Sequence, residues 1–150
     1  MTAEQITSQL QPLIGEIQSQ HFCYLLVESW IAAGIGPEEV IEPVLHFMEQ
    51  NTDVDFGLPG PLIQFMERSL KQDQARRNCF EELLIKSVQR KPVHYTIWMI
   101  NRILNVTVEP RGRDRLLEAL EGARQRSQND PDLLEAIDDF LTYQAKKSDT

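Results

Sequence analysis

Gly34-Ile35-Gly36-Pro37-Glu38-Glu39-Val40-Ile41-Glu42-Pro43-Val44-Leu45-His46-Phe47-Met48-Glu49-Gln50 is the stretch that decides the fold class. Two glycines in three residues stop a helix, because glycine tolerates the left-handed backbone that ends one. Pro37 follows at the first helical position, where its missing N–H costs nothing. Val40, Val44, Phe47 and Met48 then recur at the 3.6-residue period and form one inward stripe. Glu38 and Glu39 fall at the positive end of the helix dipole. The spacing therefore predicts a helix from Pro37 to about Gln50.

The same punctuation recurs on both sides. Upstream, Thr2 and Gln5 have capping-box spacing and open a helix with Ile6, Leu10, Leu13, Ile14 and Ile17 on one side, kinked or divided at Pro12. His21 to Ala33 reads as a second helix. Phe22, Tyr24, Leu25, Leu26, Val27, Trp30 and Ile31 make it apolar nearly all round, which predicts a central, enclosed element. Downstream, Asn51 to Pro59 reads as a loop, and Gly60-Pro61 starts a fourth helix with Leu62, Phe65, Met66 and Leu70 inward. A fifth spans Gln74 to Arg90. A sixth, from about Val93 to Asn105, is again apolar almost throughout. Val106-Thr107-Val108 reads as a short extended piece. A seventh helix follows Arg111-Gly112, and Asn129-Asp130-Pro131 starts an eighth with Leu133, Leu134, Ile137, Phe140 and Leu141 inward. The tail after Ala145 is polar, and residues 146–150 are expected to fray.

Nothing alternates with period two over a strand's length. The expected fold is all-α, with about eight helices as stacked antiparallel helical hairpins in one domain spanning residues 1–150. The second and sixth helices are expected to form its inner layer. Pro43–Glu49 and Pro61–Glu67 echo each other eighteen residues apart. That interval is too short for a two-helix repeat of about 34–47 residues. A degenerate HEAT-like array and an irregular bundle both fit.

Composition narrows the function classes. The chain has 150 residues, 41% of them apolar, and a mean hydropathy of -0.36. No run approaches the ~20 apolar residues of a membrane span, and Met1–Gln5 lacks the basic and apolar features of a secretory signal. The chain is expected in the cytosol, off the membrane, with Cys23 and Cys79 as buried free thiols. Two cysteines and three dispersed histidines match no zinc spacing, and no metal or cofactor is implied. The net charge of -8 is uneven. Residues 1–75 hold eleven acids against two bases, Arg68 and Lys71, whereas residues 76–126 hold eleven bases against six acids. An acidic first half repels phosphates and argues against nucleic acid as partner. It suits the steering of a basic protein.

No activated-nucleophile, phosphate-loop or His-Glu-x-x-His pattern is present, so the reading is not an enzyme. Two places stand out. In Asn51–Pro61, Asp53 and Asp55 lie near Glu49 and the Glu38, Glu39 and Glu42 group, and these six are the candidate partner-binding residues. The plainer alternative is a loop whose Gly and Pro residues fix the chain path while its acids stay in water. In His94–Asn105, His94, Trp98 and Arg102 stand four apart, with Asn101 beside them, on an otherwise apolar helix. Arg102 can stack on Trp98 and calls for a carboxylate such as Glu67. These five are read as a structural polar network, because a buried charge must be paired. The alternative is a groove lined by the same stripe.

Gly57-Leu-Pro-Gly-Pro-Leu-Ile-Gln-Phe-Met-Glu67 and Thr96-Ile-Trp-Met-Ile-Asn-Arg-Ile-Leu-Asn105 carry a resemblance. They are similar to segments of small, helical bacterial immunity proteins encoded beside polymorphic or contact-dependent toxins. The resemblance covers roughly residues 55–105 and is one of pattern rather than strict motif. It implies a cytosolic inhibitor in bacterial competition that neutralises a cognate toxin domain by direct binding. A basic toxin, such as a nuclease, would suit the acidic surface on grounds of charge. The matching residues look structural, so the resemblance transfers no binding residue. Two other readings stand beside it: a helical adaptor or assembly chaperone, and an enzyme with a site near His94, Trp98 and Arg102. Oligomeric state is left open.

Overall fold

The computed structural model describes residues 1–106 and 109–148. Among them are eight α-helices and no strand, so the fold is all-α. The helices are α1 (Ala3–Leu10), α2 (Ser19–Ala32), α3 (Pro37–Gln50), α4 (Pro61–Glu67), α5 (Gln74–Arg90), α6 (His94–Val106), α7 (Pro110–Arg126) and α8 (Pro131–Ser148). Short 3-10 turns at Gln11–Leu13 and Arg68–Lys71 follow α1 and α4. No helix among the described residues is long and apolar enough to cross a membrane.

The chain packs as two compact units divided between Leu83 and Leu84, within α5. In the first unit α1 lies on α3, α3 on α4, and α4 on α2. Ile6, Leu10, Trp30, Val44, Met48, Leu62 and Met66 fill its core. Trp30 also donates its indole N–H to Gln9 Oε1 at 2.7 Å, which satisfies its one polar atom. In the second unit α6, α7 and α8 pack on one another around Ile97, Ile100, Leu116, Leu120 and Ile137.

Local chemistry sets the ends of these helices. The reciprocal Thr2–Gln5 capping box opens α1. Glu39 Oε2 accepts from the Gly36 amide at 2.8 Å at the start of α3. Glu109 caps α7 by accepting from the Arg111 and Gly112 amides. Asp130 Oδ1 accepts from the Leu133 amide at 3.2 Å at the start of α8.

Four expectations are corrected here. Helix α1 stops at Leu10, and the Pro12 turn redirects the chain, so Ile14 and Ile17 leave the inward stripe and are exposed. Helix α2 is not enclosed: Tyr24, Leu25 and Ile31 are 51%, 52% and 41% exposed. An all-round apolar sequence names no buried side by itself, and α2 finds neighbours on one face only. Val106 ends α6 as helix, while residues 107 and 108 of the expected extended piece lie outside the described residues. Past Ala145 the helix continues to Ser148, whose hydroxyl donates to Gln144 O and accepts from Arg113 Nη2. Residues 149 and 150 lie outside the described residues.

Candidate functional site

The site is built in the first unit by two chain reversals. After Pro12 the backbone extends at Ile14 and turns at Gly15, whose φ of +78° is open only to glycine at low cost. At the other side α3 ends at Asn51, whose side-chain amide donates to Phe47 O at 3.0 Å. The loop beyond it alternates. Val54 and Phe56 point inward and are buried, with Phe56 edge-on to Phe47 at 6.0 Å between ring centroids. Asp53 and Asp55 therefore point outward.

Asp55 is held in place. Its Oδ1 accepts from the Gly57 amide at 3.0 Å and its Oδ2 from Gln20 Nε2 at 2.8 Å. Its backbone oxygen accepts from Ser19 Oγ at 2.8 Å, which ties the loop to the first turn of α2. Between the two reversals lies a cleft of about 450 Å³ lined by Ile14, Glu16, Ile17, Asn51, Asp53 and Asp55, among others. Ile14 is 52% exposed and Ile17 is 97% exposed. Three carboxylates thus surround an apolar pair that is left in water. No lysine or arginine occurs before Arg68 to neutralise them, while that segment holds ten acids.

Such a cleft attracts cations and gives apolar side chains a place to bury. On α2, burial, and next the Asp55 charge, push the Cys23 thiol up to about 12. Among the described residues no three His, Cys, Asp or Glu side chains are placed to hold a metal ion. Cys79, expected to be buried, is exposed on α5. Alkylation by iodoacetamide at pH 8 is therefore expected to modify Cys79 in the folded chain and Cys23 only after unfolding, as peptide mass spectrometry would read directly.

The six candidate acids do not form one patch. Glu38, Glu39 and Glu42 are exposed at the start of α3, and Glu42 lies 3.9 Å from His46. Asp53 and Asp55 lie past the far end of that helix, which spans roughly 21 Å at 1.5 Å per residue. Glu49 does not belong to a surface at all. It is 5% exposed, because the inward face of α3 is wide enough to take positions 41, 45, 48 and 49 together.

Of the expected polar network, the Arg102 guanidinium does stack over the Trp98 ring, 4.8 Å from its centroid. Both are half-buried, whereas His94 is exposed at the start of α6. Glu67 is half-buried on α4. Arg102→Ala is expected to lower stability by about 1 kcal/mol through loss of the cation–π contact, a melting shift of about 2–4 °C. Differential scanning calorimetry would check it.

Asn101 belongs to a different network, whose hub the sequence reading missed. Gln144, fully buried on α8, donates from Nε2 to Asn101 Oδ1 at 2.8 Å and to Asn105 Oδ1 at 2.9 Å. Arg113 Nη2 donates to Gln144 Oε1 and to its backbone oxygen, both at 3.1 Å, and Arg113 Nη1 reaches Leu104 O at 3.3 Å. The signal was present: Gln144 follows Leu133, Ile137 and Phe140 in the inward register of α8. A polar residue in an apolar register calls for buried partners.

Comparison with protein-family models, with curated proteins and with solved structures finds no match to this chain.

Proposed function

We propose that the chain is a protein-binding inhibitor of the immunity type, which holds a basic partner domain against its acidic first unit and turns nothing over. The observation that carries this reading is the cleft in which Glu16, Asp53 and Asp55 surround the exposed Ile14 and Ile17, in a segment with no lysine or arginine before Arg68. Exposed apolar side chains supply affinity when buried, and a one-signed rim supplies steering and selects partners. The resemblance of residues 57–67 and 96–105 to bacterial immunity proteins gives the partner its class, a toxin domain.

The test is affinity capture of the tagged chain from the cells that make it, followed by expression of what is captured. The expected result is one stoichiometric basic partner that arrests growth when made without this chain, and whose association slows several-fold between low and high salt. Capture of several unrelated assembly components would instead favour the adaptor reading. A partner that is chemically converted would favour an enzyme.

A further inference from the structure

We infer that the outward face of α2 is the principal anchor for the partner, and that its occupant is an amphipathic, basic-edged helix of that partner. The inference rests on the proposed function and names the surface that performs it. His21, Tyr24, Leu25, Glu28, Ile31 and Ala32 are all exposed. At 100° per residue they fall within one face of the helix, opposite the buried Cys23, Leu26, Val27 and Trp30. Single exposed apolar residues are ordinary, but Tyr24, Leu25 and Ile31 share one exposed face over two turns, with Glu28 between them. A ridge of side chains at helical spacing fits the groove between the side-chain rows of a second helix.

The occupant's charge follows from what surrounds the ridge. Glu28 sits within it. Asp55 is tied at its foot through Gln20, one turn before Tyr24. The cleft carrying Glu16 and Asp53 adjoins that same first turn through Ser19, one of its lining residues. With no lysine or arginine before Arg68, the face carries His21 but no lysine or arginine of its own segment to offset these acids. A partner helix with lysines or arginines flanking an apolar strip is complementary to it. A second copy docking by the same face would set Glu28 and Asp55 against themselves, and like charges brought together across an interface are costly. An aromatic side chain beside aliphatic ones is also the composition from which interface anchors are drawn.

The experiment uses the purified full chain and a labelled amphipathic Leu/Lys peptide of about 18 residues, long enough to form a helix of five turns. A Leu/Glu peptide of the same pattern serves as the control. The Leu/Lys peptide should bind at least about tenfold more tightly than its acidic counterpart. Amide shift changes should centre on α2 and on residues 14–19 and 53–58. The triple variant Tyr24→Ala, Leu25→Ala, Ile31→Ala changes only half-exposed positions and should keep the wild-type helix content and melting temperature. It should weaken binding at least about tenfold, whereas Glu38→Gln with Glu42→Gln, at the start of α3, should change it less than about twofold.

Undiminished binding by the triple variant, equal binding of both peptides, or shift changes centred on α7 and α8 would each overturn the inference. So would a dimer of the chain alone that the triple variant disperses, because the face would then be covered by a second copy. The two proposals fail separately. A captured toxin that the triple variant still binds at full affinity removes the α2 anchor and leaves the function standing. Loss of peptide binding in that variant, with no inhibited partner found in cells, removes the function and leaves the surface.

Discussion

Gly60→Ala is expected to destabilise the chain by about 3 kcal/mol, at the upper end of what overpacking does. Gly60 precedes Pro61, the first residue of α4, and is buried where the loop from α3 folds back on itself. A β-carbon there would fall on the Phe56 carbonyl oxygen, within 2.6 Å of the Phe56 carbonyl carbon and 3.2 Å of Gly57 Cα. All three are backbone atoms, so no side-chain rotation relieves the overlap. The loop would have to part from the start of α4, carrying Phe56 out of its edge-on contact with Phe47. Because the same loop carries Asp53 and Asp55, the cleft would be lost with the stability. Gly122→Ala is the control. Its nearest neighbours are the Arg126 guanidinium atoms, beginning at 3.3 Å, the far end of a flexible side chain that need give only a few tenths of an ångström and can keep its bond to Val88 O. In the middle of α7 alanine is the better helix former by up to about 1 kcal/mol, so that variant should be neutral or stabilised. Urea denaturation of the two variants side by side checks both statements.

Gln144→Ala is expected to cost about 3 kcal/mol in the second unit, since one hydrogen bond to a charged group and two further part-buried bonds go together. The loss is not confined to the bonds removed. Asn101 Oδ1 and Asn105 Oδ1 would each lose the donor that Gln144 supplies, and Arg113 would lose the side-chain acceptor at 3.1 Å. The truncation also leaves a cavity between α6 and α8, which adds a packing penalty. Lys147→Ala, one turn away and exposed, removes a 3.0 Å bond to Asn105 O made at the surface and should cost less than about 1 kcal/mol. Thermal melts of the pair separate a buried hub from a surface contact.

The particular elements show what a sequence can and cannot tell. Helix α3 was legible from end to end, Pro37 to Gln50, because Gly36, Pro37 and the apolar stripe are local signals that tertiary packing does not need to complete. Helix α5 was legible too, over the same span from Gln74 to Arg90. Helix α2 was misread as enclosed. Its helical state is local, but which of its apolar sides meets a neighbour depends on elements distant in sequence, and here one side meets none. Glu49 was misread as a surface residue because a charge on an amphipathic helix is usually solvated, and only the packed width of α3 shows that this one is not. Asp53 and Asp55 were picked out by composition, yet the residues that fix Asp55, Ser19 and Gln20, lie more than thirty positions away. The cleft as a shape was not readable. It requires the chain reversals at Gly15 and Asn51 to face each other, a long-range fact.

If the chain holds a basic protein on its acidic first unit, as proposed, the partner must lie against the mouth of the cleft. Site-specific photo-crosslinking tests it most directly. A photoreactive residue in place of the fully exposed Ile17, at the mouth of the cleft, is compared in living cells with one in place of the half-exposed Tyr143 on α8. The expected result is a single adduct from position 17, carrying one basic partner in one-to-one ratio, and no such adduct from position 143. No discrete adduct from position 17, or the same partner captured from position 143 alone, would contradict it.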